Sequence, residues 1–127
     1  PEPAPELVST TFWWDRDRPS HGITLFEIPG AGVVYGTWST FDAQGNPIWY
    51  LLDGSAEGLP RHRDVRILAT SMDPAVAPRV VGSGQIVYFD CNQAEARFVL
   101  EGEPLRSLRL KRSVPVDQCL ALDFDQN

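Results

Sequence analysis

The stretch that most constrains the fold is Gly32 to Ala56, GVVYGTWSTFDAQGNPIWYLLDGSA. Two runs rich in Val, Tyr, Trp, Thr, Ile and Leu flank Asp42-Ala43-Gln44-Gly45-Asn46-Pro47, a cluster of turn formers. β-Branched and aromatic runs broken by such a cluster read as two antiparallel strands joined by a tight loop. With Asp42 and Pro47 closing the loop, Ser39 faces Tyr50 and Thr40 faces Trp49. Trp38, Thr40, Trp49 and Leu51 then share one face, and Tyr35, Phe41, Ile48 and Tyr50 the other. Both faces are aromatic. A sheet with one wet face alternates more cleanly, so part of the second face is expected to be covered or used for binding.

The rest of the chain breaks into pieces of similar length. Leu7 to Trp14 (LVSTTFWW) is a β-favouring run stopped by the charged Asp15-Arg16-Asp17-Arg18-Pro19-Ser20, whose proline cannot donate to a ladder. His21 to Ile28 is a second strand, ended by Pro29-Gly30-Ala31-Gly32. The hairpin supplies the third and fourth, and Asp64 to Ser71 alternates well enough for a fifth. Val80 to Asp90 is the sixth, with Gly82 and Gly84 marking a bend or a close backbone approach. Ala94 to Glu101 and Leu105 to Arg112 complete the set. Each of these last two is about eight residues between turn signals and neither shows capping with a 3.6-residue period, which favours strand over short helix.

Eight short strands with short connections and no convincing helix point to an all-β, antiparallel up-and-down meander. Closing it into a barrel removes its exposed edges, and at eight strands the interior either fills with side chains or holds one small ligand. A two-sheet sandwich demands the same inward and outward alternation and is the alternative. In a closed meander the first and last strands are neighbours, so Trp13 or Trp14 is expected to meet Arg109 or Arg112, with a guanidinium laid on an indole at the seam.

A chain of 127 residues is one domain by size. Its net charge of −6 is spread without blocks of either sign, which leaves no electrostatic footprint for nucleic acid. No apolar run approaches the roughly 20 residues of a helical membrane span. Residues 1–6, Pro-Glu-Pro-Ala-Pro-Glu, read as an extended spacer, 7–112 as the barrel, and 113–127 as a tail. Such spacers often follow a removed export signal or a lipid-bearing cysteine, so a periplasmic or extracellular place is expected, with or without a lipid anchor upstream of the spacer; a cloning boundary would look the same. Two cysteines in a small strand-rich domain suit an oxidising compartment. A Cys91–Cys119 disulfide would dock the tail over the turn between the sixth and seventh strands; two unrelated buried thiols are the alternative.

The early tryptophan paired with a late arginine over an eight-strand meander resembles the calycin superfamily, the lipocalin, fatty-acid-binding and avidin-like barrels. A wider resemblance runs through Trp13-Trp14-Asp15, Pro19-Ser20-His21-Gly22, Trp38-Ser39-Thr40-Phe41-Asp42, Gly45-Asn46-Pro47-Ile48-Trp49-Tyr50 and Asp90-Cys91-Asn92. This series is similar to a poorly characterised domain of exported Gram-negative bacterial proteins with the pattern W-Y-D-P, S-G-x-G, W-x-T-Y-D-x-x-G-x-P-x-W-Y and D-C-N. The resemblance implies an envelope location and a β fold and brings no chemistry with it.

Catalytic constellations are scarce. His21 and His62 are the only histidines, and Ser20 beside His21 is thrown to the opposite face of a strand. No metal-ligand spacing is present, the Asp15-Arg16-Asp17 carboxylates can pair with their own arginines, and Gly82-Ser83-Gly84 lacks the Lys-Ser/Thr of a phosphate loop. No metal or cofactor is expected. The aromatic hairpin carries the functional expectation, a non-catalytic binding or protein-interaction module of the bacterial envelope. Trp38, Trp49, Tyr50 and Tyr35 are the candidate ligand-binding residues, and the partner is a protein of the envelope or a small apolar or glycan ligand. The alternatives are a small hydrolase or isomerase using carboxylates inside the barrel, and a structural subunit of an envelope assembly.

Overall fold

A computed structural model describes residues 11–18, 20–28, 32–55, 62–71, 73–90 and 92–113. Eight strands occur in chain order: β1 Thr11–Asp15, β2 Gly22–Ile28, β3 Val33–Phe41, β4 Pro47–Ser55, β5 His62–Ala69, β6 Arg79–Asp90, β7 Gln93–Leu100 and β8 Arg106–Arg112. Every strand pairs antiparallel with its sequence neighbours, β1 also pairs with β8, and the sheet closes into a barrel. The all-β meander expected from the strand runs is therefore a closed barrel and not a sandwich. The spacer, most of the tail, Cys91 and Cys119 lie outside the described residues, as do the first residues of the strand expected from Leu7. No helix among the described residues is long and apolar enough to cross a membrane.

The seam brings the chain's two ends of sheet together through Trp13↔Arg112, Trp14↔Lys111 and Asp15↔Leu110. Trp13 points inward and is fully buried, and the Arg112 guanidinium lies 5.9 Å from its ring centre. Burial pushes the Arg112 pKa down, with the nearby Tyr88 opposing, yet a guanidinium stays charged throughout the physiological range. A cation over an indole in such a partly desolvated place contributes about 0.5–2 kcal/mol. Trp14 and Arg109, the other halves of the expected pairing, fall in the opposite phase of their strands and face outward; Arg109 reaches Asp17 at 4.0 Å instead.

Side chains fill the interior. Trp13 packs on Tyr88 at 5.6 Å, and Trp38 packs between Tyr50 at 5.3 Å and Phe98 at 4.9 Å. Ile23, Leu25, Leu52, Ile67, Ile86 and Leu110 complete the core. Fully burying such a side chain is worth about 1.5–3 kcal/mol. Arg63 is also buried, with its guanidinium 5.4 Å from the Tyr88 ring centre and donating to the His62 carbonyl at 2.9 Å.

The hairpin differs from expectation by one residue. Asp42 belongs to the ladder, because its N–H donates to the Asn46 carbonyl at 2.9 Å, and the Gly45 N–H closes the turn on the Asp42 carbonyl at 3.0 Å. The loop is therefore Ala43-Gln44-Gly45, with Gly45 at φ 83°, the left-handed residue that completes a three-residue hairpin turn. The Asp42 side chain locks it by accepting the Gln44 and Asn46 N–H groups, both at 2.9 Å. With one residue fewer in the loop, Trp38 pairs with Tyr50 and Ser39 with Trp49. A one-residue shift sends every β4 side chain to the other face, so Ile48 and Tyr50 point inward with Trp38 while Trp49 and Leu51 point out.

Two further irregularities shape the wall. The β5–β6 register slips between Ile67 and Leu68, which leaves Val81 without a partner and turns it inward beside Gly82. The β6–β7 register slips between Tyr88 and Asp90, which leaves Phe89 on the outside. Gly82 and Gly84 thus mark a bulge and a close approach, as their spacing predicts.

Candidate functional site

Inward and outward alternation sorts the candidate residues into three places. Trp38 is 1% exposed and belongs to the core, whereas Trp49 is 53% exposed on the outer wall. Tyr50 is half-buried at an open end of the barrel, and Tyr35 lies on the outer wall beside Phe26. The four residues therefore do not share one place: the register of the hairpin puts Trp38 in the core, Tyr50 at the barrel end and Tyr35 and Trp49 on the outer wall.

The outer wall of β1 to β4 is where the exposed rings gather. Phe12 and Trp14 on β1, Phe26 on β2, Tyr35 on β3 and Trp49 on β4 are five of the six exposed aromatic side chains among the described residues. Cross-strand register sets them in rows. Trp14, Gly22, Ser39 and Trp49 form one row, and Phe12, Thr24, Thr37 and Leu51 form the next. Phe26 stacks on Tyr35 at 5.5 Å with 25° between planes, and Phe12 lies 6.4 Å from Trp14. The Phe12 ring sits so close over Gly22 that a Cβ there would come within 2.7 Å of it. Strands run about 4.8 Å apart, so Trp14 and Trp49 bracket a shelf of small residues about 14 Å across. The far side of this wall is closed by Arg66, whose guanidinium grips Asp53 with two bonds of 2.8 and 2.7 Å. The wall of β6 to β8 is different in kind. It presents Ser83, Gln85, Arg97, Ser107, Arg109 and Lys111, with Val80, Phe89 and Val99 as its large apolar exceptions.

The open end that holds Tyr50 forms a second candidate. A cleft of about 270 Å³ is lined by Arg18, His21, Thr40, Phe41, Asp42, Tyr50, Glu103 and Arg106, and a neighbouring one of about 240 Å³ shares Tyr50 and Glu103. Arg106 lies 5.5 Å from the Trp38 ring centre and donates to Glu103 at 2.7 Å. His21 Nδ1 and the buried Thr40 hydroxyl are 2.7 Å apart, a pairing of the residue just before β2 with one on β3 that the sequence spacing of nineteen residues did not announce. The Phe41 ring meets His21 edge-on at 5.2 Å. Backbone N–H groups of Asn46 and Gln44 hold the Asp42 carboxyl below the usual carboxylate range. That direction is opposite to what a general acid requires of Asp42. Burial raises the Tyr50 pKa, so its hydroxyl stays protonated and able to donate.

Burial first, and then Arg18, lower the His21 pKa below its ordinary value of 6.5, while Asp15 opposes them. The unfolded chain therefore takes up the proton first as pH falls. The stability that His21 confers is complete above about 6.5 and is lost as pH drops through its lower folded value. His21→Gln is expected to remove this part of the pH profile. Urea midpoints of both proteins at about pH 7.5 and about pH 5.5 test it, and an equal drop in the two would refute it.

Among the described residues no three His, Cys, Asp or Glu side chains approach closely enough to hold a metal ion. Neither a protein-family model, nor a curated protein, nor a solved structure matches this chain.

Proposed function

We propose that this barrel is a non-catalytic interaction module of the bacterial envelope, and that it receives a partner protein on the aromatic outer wall of β1 to β4. The observation that carries this reading is the segregation of exposed rings: Phe12, Trp14, Phe26, Tyr35 and Trp49 occupy one half of the barrel surface and charged or small polar residues most of the other. Scattered single apolar residues need no explanation, but a contiguous ring-rich patch on a small domain marks an interface. Aromatic side chains supply rigid contact area at low entropic cost and dominate interface hot spots. The wall is convex, whereas small-molecule sites are concave, which favours a macromolecular partner over an apolar or glycan ligand at this place. Each of the eight strands has a strand neighbour on both sides in the closed sheet, so recognition through side chains fits better than strand addition along a free edge. The envelope setting rests on the likeness of the Trp-Ser-Thr-Phe-Asp hairpin and Asp90-Cys91-Asn92 to exported domains.

The test is capture from envelope extract, followed by titration of the captured protein against variants. Trp14→Ser and Trp49→Ser are each expected to weaken binding by at least about thirtyfold, the value of a hot-spot ring, while Phe89→Ser on the opposite wall leaves it unchanged. A partner whose affinity ignores Trp14 and Trp49 would place the interface elsewhere and overturn the proposal.

A further inference from the structure

Most of the basic side chains on this barrel have an acid beside them. Arg18, Arg66, Arg79, Arg97, Arg106 and Arg109 each lie within 4.0 Å of a carboxylate, while Arg63 and Arg112 are the two whose guanidiniums lie over the Tyr88 and Trp13 rings of the core. Arg16 and Lys111 have neither arrangement among the described residues, and barrel closure puts these two together. They flank the same pair of adjoining clefts at the β1–β8 seam, of about 230 and 210 Å³. In a chain of net charge −6, two cations left without acids at one place form a local reversal of sign.

The surroundings narrow what that place can hold. Trp14 pairs with Lys111, and Lys111 with Gln93, so an indole, an ammonium and a carboxamide stand in one outward row across β1, β8 and β7, at the strand spacing of about 4.8 Å. Trp14 walls the first cleft and Gln93 the second. Asp15 also lines the first cleft, but its carboxylate is engaged by the Asp17 N–H at 2.9 Å and by Arg18 at 3.6 Å. Among the described residues Arg16 and Lys111 have no carboxylate within ion-pair reach, whereas the Asp15 carboxylate is already shared with Arg18. A guanidinium and an ammonium select an oxyanion, an amide side chain hydrogen-bonds hydroxyls, and an indole face packs against a C–H-rich ring.

We propose that the β1–β8 seam is a binding site for an acidic saccharide, with Arg16 and Lys111 taking the sugar's carboxylate or phosphate, Gln93 its hydroxyls and Trp14 its ring face. The site shares Trp14 with the shelf between Trp14 and Trp49 but takes Arg16, Gln93 and Lys111 from the other side of that ring, so Arg16→Gln and Lys111→Gln test it without touching the protein interface proposed there. Its residues come from the two ends of the sheet, so the site exists only in the closed barrel.

The experiment is a titration of the isotope-labelled protein by nuclear magnetic resonance, following the Trp14 indole and the Arg16, Gln93 and Lys111 amides. Glucuronate and glucose 6-phosphate are the probes, with glucose and inorganic phosphate as controls. Both probes are expected to move these signals saturably, glucose to move none, and inorganic phosphate to bind about tenfold more weakly than the sugar phosphate because it lacks a ring for Trp14. Raising the salt should weaken binding, since both cations are exposed. Arg16→Gln and Lys111→Gln, which break no ion pair among the described residues, should each reduce affinity about tenfold without changing the thermal midpoint. Glucose binding as well as glucuronate, absence of saturable shifts, or affinities indifferent to both substitutions would overturn the assignment.

Discussion

Trp38→Ala is expected to lower the unfolding free energy by about 3–5 kcal/mol, and Trp49→Ala to leave it within about 0.5 kcal/mol. The two tryptophans sit on adjacent strands of one hairpin and differ only in phase. Trp38 lies under Arg106 and between Tyr50 and Phe98, so truncation strips contacts from three partners and opens a cavity in a packed interior. Trp49 stands on the outer wall opposite Ser39 and has more than half its surface in water. Paired urea titrations measure both. Equal losses would mean that the hairpin is registered with Thr40 opposite Trp49, with both indoles on one face, and the partition into core and wall would fail with it.

Gly36→Ala and Gly54→Ala are expected to cost about 4 kcal/mol or more each, against about 1 kcal/mol for Gly45→Ala. A Cβ on Gly36 would lie 1.9 Å from the Thr24 carbonyl oxygen, and one on Gly54 would lie 1.8 Å from that of Asp64. Backbone cannot rotate away as a side chain can, so β2 or β5 would have to move by more than an ångström and break ladder bonds along its length. Both glycines fall in the inward phase of their strands, where neighbouring strands coil tightly to close the barrel round the large rings inside. Gly45 has open space about it and only its positive φ to lose. Thermal or urea unfolding of the three variants decides the matter. A mild effect at Gly36 and Gly54 would show that the sheet is not drawn this closely at those positions.

Much of the architecture is written locally. Eight β-favouring runs, each bounded by glycine, proline or a charged loop, specify eight strands because propensity and turn chemistry act within a few residues. Inward and outward phase within each strand is likewise legible: Arg106, Leu108, Leu110 and Arg112 share a phase in sequence and all face the interior or its ends in the barrel. The seam was foreseeable because a meander that closes must join its first strand to its last, and Trp13 with Arg112 makes that join. Phe12 and Phe26 were open to the same reasoning, since each stands beside a buried residue, Trp13 and Leu25, yet a phenylalanine with no polar atom reads as core until the phase of its strand is anchored.

Composition, turn signals and the two-residue period determined an all-β chain of eight strands, and which residues of each strand travel together. Tertiary structure decided which face of β4 is the outer one, that His21 meets Thr40, and that Trp14, Arg16, Gln93 and Lys111 converge. The reason is that phase repeats every two residues and is encoded locally, whereas register is fixed by loop closure and barrel stagger. At the hairpin it turns on whether Asp42 bonds to Asn46 or to Pro47. Proline has no N–H to give the Asp42 carboxylate, whereas Asn46 and Gln44 each give one, so the carboxylate secures the shorter loop and with it settles which aromatic rings meet water.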